Sequence, residues 1–181
     1  MEFAQDQDFL RAIRRHFVGL FGTCVDLQGP SPRDERAFCC SGFVIEICGV
    51  WCFVTAGHVF NDIDVGVRMG QIKLLKCSLA DYYAAEAAVK EPVPFDYEGA
   101  HRITVDAGGM DVGLIALRDY YRMNLAVNGV RPMPVAEWAS RSPPRFDHYA
   151  VLGLPMEELE PRTRAGDRGP HSPPGTVASS M

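Results

Sequence analysis

The chain is 181 residues long, and its 18 Lys and Arg against 23 Asp and Glu leave a formal charge of -5. With 47% hydrophobic residues it has apolar material for the core of one ordinary domain. The acidic balance excludes the many-cation surface that non-specific nucleic-acid binding needs, and 13 prolines with 17 glycines stay far below a collagen-like composition.

The first residues carry acids where a secretory signal has its basic region, with no apolar stretch ahead of Arg14 and Arg15. The densest apolar run, 42–60, is broken by Glu46 and His58 and is rich in β-branched and aromatic residues. It therefore reads as buried strands rather than a membrane span. A soluble cytoplasmic chain is expected, with neither nucleic acid nor membrane as a partner.

In chain order, Phe9, Leu10, Ile13 and Phe17 share one helical face, which predicts a short amphipathic helix over 1–16. From Phe17 the text turns β-rich, with Gly19 and Gly22 permitting bends. A polar loop is expected over 28–36, then strands at 42–48 and 51–55 joined by a Gly49-Val50 turn. Further short strands are expected at 64–69, 71–79, 101–106 and 112–118. Residues 80–90 are helical by propensity until Pro92 and Pro94. A helical turn over 119–128 and a strand at 151–154 follow. The last segment, 161–181, holds Pro161, Pro170, Pro173 and Pro174 without aromatics or apolar periodicity, and reads as a disordered tail. Many short strands between Gly- and Pro-rich turns indicate an all-β chain, a barrel or sandwich.

Cys24, Cys39, Cys40, Cys48, Cys52 and Cys77 read as reduced thiols in a chain without a secretion signal. Cys48 and Cys52 lack the second ligand pair of a zinc site. Tyr82/Tyr83 and Tyr120/Tyr121 read as core or surface aromatics rather than base-stacking platforms, since Lys76 and Lys90 alone flank the first pair. Asp62, Asp64 and Asp111 lack the regular oxygen-rich loop of a calcium site.

Three stretches point to chemistry. Ser41-Gly42-Phe43-Val44 precedes a hairpin whose second strand ends Phe53-Val54-Thr55-Ala56-Gly57-His58. Asp111-Val112-Gly113-Leu114-Ile115-Ala116-Leu117 opens an apolar strand on a single carboxylate. Val151-Leu152-Gly153-Leu154-Pro155 comes third. Together they resemble the trypsin-like (chymotrypsin-fold) serine peptidases of bacterial type, over about 18–155. Carried over, Thr55-Ala56-Gly57-His58 matches the family's general-base motif and Asp111 its orienting acid, in the right order and 53 residues apart. The chemistry suits the residue types. An imidazole near its working pKa takes the proton of an attacking hydroxyl, and a carboxylate fixes its tautomer and stabilises the imidazolium.

The resemblance implies a first β-barrel over 17–140, the start of a second over 141–160, a polypeptide substrate and no cofactor. It also exposes a departure. The family's nucleophile lies in Gly-Asp/Asn-Ser-Gly-Gly, and that string does not occur here. Gly166-Asp167-Arg168-Gly169 puts arginine where serine belongs, Ser172 is followed by Pro173-Pro174, and no cysteine follows Cys77. The sequence thus reads as a peptidase homologue that ends before the nucleophile and keeps His58 and Asp111. The alternative is a non-catalytic module on a peptidase scaffold that binds a partner protein; under either reading an exposed barrel face is expected to favour self-association.

Overall fold

The computed structural model describes residues 12–28, 35–81 and 91–137. Seven strands form one antiparallel sheet: β1 (Phe17–Asp26), β2 (Glu35–Ile47), β3 (Val50–Thr55), β4 (Ile72–Ala80), β5 (Val93–Pro94), β6 (Arg102–Ala107) and β7 (Met110–Ala116), in the order β5-β4-β1-β2-β3-β7-β6. Two helices accompany them, α1 (Gly57–Arg68) and α2 (Asp119–Val127). Of the N-terminal helix expected over 1–16, residues 12–14 are helical and the rest lies outside the described residues. So do the segment 82–90, the strand expected at 151–154, the expected start of a second barrel and the tail.

The all-β expectation holds, but among the described residues the sheet does not close into a barrel. Its edges are β5 and β6, and they do not pair. Closure fails at β5, which covers only Ser78 and Leu79 of β4. Pro94 supplies no N–H for a longer ladder.

Alternation along β1 sets the core. Val18 and Leu20 are fully buried, with Leu20 opposite both Cys40 and Leu79. They join Val44, Phe53, Ile115, Leu125 and Val130 in one apolar cluster. The opposite face of β2, β3 and β7 holds a smaller cluster of Ile45, Cys52 and Val54, against which Leu114 and Met133 pack.

Three local expectations are corrected. Strand β2 begins at Glu35 rather than at 42, so the polar residues 35–36 are strand and not loop; they pair with Val25 and Cys24 of β1. The β2–β3 turn is Cys48-Gly49, both at positive φ (50° and 81°), the geometry whose twist matches a two-residue hairpin. Residues 64–68, expected as strand, belong to α1. Its buried positions Gly57, Phe60, Ile63 and Gly66 recur every third residue, and that helical stripe outweighs the β preference of Val65 and Val67.

Candidate active site

Strand β3 delivers the chain to the site. Thr55 at its end is buried and donates its hydroxyl to the Ser41 carbonyl of β2 at 2.7 Å, fixing the point where strand becomes helix. Ala56 occupies the N-cap position of α1 with extended backbone and no side chain able to cap. The exposed N–H groups of the first turn need an acceptor, and Asp111 of β7 provides it. Its Oδ1 accepts the His58 backbone N–H at 2.8 Å, while Oδ2 makes a short hydrogen bond with His58 Nδ1. One carboxylate thus caps the helix from a neighbouring strand and orients the imidazole that the helix carries.

This approach requires two residues without side chains. A Cβ on Gly57 would stand 2.8 Å from the Val112 carbonyl and 3.1 Å from Asp111 Oδ1. A Cβ on Gly113 would stand 2.6 Å from the ring of Phe60, which is fully buried. Glycine at both positions lets α1 lie directly on β7.

The carboxylate acts on the electrostatics of the ring. Its hydrogen bond to Nδ1, then its charge, hold the His58 pKa above the ordinary histidine value, and Asp62 adds to the effect. Asp111 is held below the ordinary carboxylate range, first by the imidazole hydrogen bond and then by the backbone N–H of His58. With its Nδ1 proton directed at Asp111, the neutral ring presents the Nε2 lone pair outward. Nε2 has no hydrogen-bond partner among the described residues, and the His58 side chain is 64% exposed. In this arrangement Nε2 is open to accept a proton from outside.

Both site residues expected from the sequence are therefore brought together. Ser140, Ser142, Ser172, Ser179 and Ser180 lie outside the described residues. Burial works against thiolate chemistry at Cys40 and Cys77. All six thiols are free, and burial pushes Cys40 up to about 12 and Cys77 up to about 11. Among the described residues no three His, Cys, Asp or Glu side chains converge on a metal position, and no helix is long and apolar enough to cross a membrane. His16, not singled out in the sequence, is buried, donates Nδ1–H to the Arg131 carbonyl at 2.7 Å and accepts from Arg15 Nε at 3.1 Å. Both ring nitrogens are engaged, and the Nδ1 bond joins the N-terminal segment to the chain after α2. Sequence reasoning also missed the double use of Asp111 as helix cap. The missing signal was an N-cap position filled by Ala56, a residue that cannot cap.

Comparison with protein-family models, with curated proteins and with solved structures returns no match.

Proposed function

We propose that this chain is a homologue of the trypsin-like serine endopeptidases, with a chymotrypsin-like arrangement of strands, His58 as general base and Asp111 as the acid that orients it, and polypeptide as the substrate class. The observation that carries the reading is the two-point attachment of one carboxylate to both the Nδ1 and the backbone N–H of one histidine, with Nε2 left outward. In such a site Nε2 removes the proton of an attacking hydroxyl, Asp111 stabilises the imidazolium, and the proton passes to the leaving amine. The chain has no Gly-Asp-Ser-Gly-Gly string to supply the hydroxyl and the oxyanion donors, so these residues by themselves are expected to turn over peptides at background.

Labelling with a serine-directed fluorophosphonate, read by intact mass, tests this. The folded protein is expected to gain no adduct. A stoichiometric adduct that disappears in His58→Ala would instead show a complete triad and overturn the proposed lack of a nucleophile.

A second reading is a protein-binding module, and a different observation favours it. Phe43, Val54, Leu114 and Ile103 stand opposite one another across β2, β3, β7 and β6, an apolar row in which Phe43 and Ile103 are exposed. Association of copies through this face predicts a sedimentation coefficient that rises with concentration and stops rising in Ile103→Glu. A monomer at all concentrations would remove self-association.

A further inference from the structure

The His58–Asp111 pair is too exposed to hold itself in place. With side chains 64% and 45% exposed, its attraction is weakened by solvent, and such pairs seldom fix two elements unaided. The geometry must come from how α1 is mounted on the β6–β7 hairpin. At one end of the contact lies the pair itself, and in the middle Phe60 fills the notch left by Gly113.

A third fastening lies further along the helix. Asp64 of α1 receives the Arg102 guanidinium in a fork, Nη2 to Oδ1 at 3.1 Å and Nε to Oδ2 at 3.3 Å. Arg102 opens β6, the edge strand paired to β7. Its remaining amine, Nη1, donates to the carbonyls of Tyr97 and Ala100. The guanidinium also sits 4.3 Å from the centre of the Tyr97 ring, whose hydroxyl donates to Asp64 Oδ1 at 3.2 Å. Tyr97 is buried and meets Phe60 edge-on at 6.2 Å. Arg102 is 20% exposed and Asp64 41%. What distinguishes this fastening from the pair is the fork geometry of the guanidinium, which fixes direction as well as distance.

We infer that Arg102, Asp64 and Tyr97 are positioning residues, a clamp that sets the angle of α1 on the β6–β7 hairpin and through it the alignment of His58 with Asp111. The inference rests on His58 and Asp111 being the working pair, and its test needs no turnover.

The test is an NMR titration of the His58 ring in the intact chain, comparing wild type with Arg102→Met, Asp64→Asn, Tyr97→Phe and Arg102→Lys. The charges acting directly on His58 are Asp111 and, four residues along α1, Asp62, and all variants leave both in place. Loss of alignment predicts that Arg102→Met and Asp64→Asn both lose most of the upward displacement of the His58 titration. Tyr97→Phe is expected to lose less, and Arg102→Lys to recover part of what Arg102→Met loses. A through-space charge effect alone would move the two main variants in opposite directions, because one loses a cation and the other an anion. Opposite shifts, or a wild-type midpoint in both folded variants, would overturn the clamp.

Should Arg102→Met fail to fold, Tyr97→Phe decides the matter by the same midpoint, because it changes no charge, whereas Asp64→Asn would lower the midpoint by losing an anion as well as by losing alignment. A wild-type His58 that titrates at the ordinary histidine value would overturn pair and clamp together. A fluorophosphonate result of either kind bears on the peptidase reading and leaves the clamp standing.

Discussion

On the β7 flank of the sheet, Gly113 gives up its side-chain volume to the ring of Phe60, which is wholly enclosed. On the β4 flank, Gly22 does the same for Phe38, which is only half-buried. The first exchange locks a helix against a strand and brings two polar side chains to a defined separation. The second leaves a cleft of about 810 Å³, lined among others by Phe21, Phe38, Cys77, Phe95, Tyr120 and Tyr121. A large apolar cavity is the usual first candidate for a ligand site. Here the cavity and the chemistry are separate, since neither His58 nor Asp111 lines the cleft. Of its polar neighbours, Asp96 is turned back to the Gly99 N–H at 2.9 Å, and the thiol of Cys77 is pushed up to about 11 by burial. The apolar flank has room without the His58–Asp111 pair. The polar flank has the groups without a cleft, exposed above the tight packing of Gly57, Gly113 and Phe60 that aligns them.

The contrast breaks most visibly at the two aromatic plugs. Phe60→Ala should cost about 3–5 kcal/mol, because it empties a fully enclosed site between Tyr97 and Gly113 that the surrounding β-strands cannot collapse to fill. Phe38→Ala should cost about 1 kcal/mol, since the ring already borders the cleft. Urea denaturation midpoints compare the two. Equal losses would mean that the cleft side is packed as tightly as the site side.

The glycines offer a subtler version of the same comparison. A methyl at position 113 meets Phe60 ring carbons at 2.6 and 2.7 Å, and that ring has no exit, so Gly113→Ala should destabilise by about 1–3 kcal/mol. A methyl at position 22 meets the tip of Phe38 at 2.2 and 2.4 Å, nominally a worse clash. That ring can swing into the cleft, which leaves the Lys76 carbonyl at 3.0 Å as the remaining tight contact. The smaller loss is therefore expected at the shorter contact. Thermal melts that rank the two variants by distance alone would show that Phe38 is not free to move.

These two flanks were not equally legible. Thr55-Ala56-Gly57-His58 and the strand opened by Asp111 are local patterns, and each keeps its meaning within a few residues of text. Their meeting depends on the β3–β7 pairing of Thr55 with Gly113, which both apolar strands anticipate. Helix α1 was not legible in the sequence: 64–69 read as strand, because Val65 and Val67 have strand preference and only the three-residue recurrence of Phe60, Ile63 and Gly66 marks a helix. The clamp was lost with it, because a strand over 64–69 gives Asp64 no reason to face Arg102. The start of β2 was hidden because Glu35, Arg36 and Ala37 are exposed strand residues with no apolar alternation to show. The open edge of the sheet was beyond local reading altogether. It turns on how far β5 pairs with β4, a contact between segments whose connection carries no strand signal.

The smallest effect expected is also the most specific to the site flank, and it concerns pH. His58 has a raised pKa in the folded state, so its share of stability is complete below the ordinary value of 6.5 and is lost as pH rises through the folded-state pKa. Asp111 has a lowered pKa, so its share is present above the ordinary 3.8 and is lost as pH falls through its folded-state value. Both shares are complete together only between those two ordinary values. Asp111→Asn keeps an acceptor for the His58 backbone N–H but removes the charge, so it should lower the melting temperature most at about pH 5.5 and less at about pH 9. Added salt should narrow the gap at the lower pH, because the pair is exposed to screening ions. A gap of equal size at both pH values would mean that the carboxylate serves α1 as a neutral cap and that its charge does nothing for the ring. Losing that charge-dependent part would leave the tight flank a packing device, no nearer to chemistry than the cleft across the sheet.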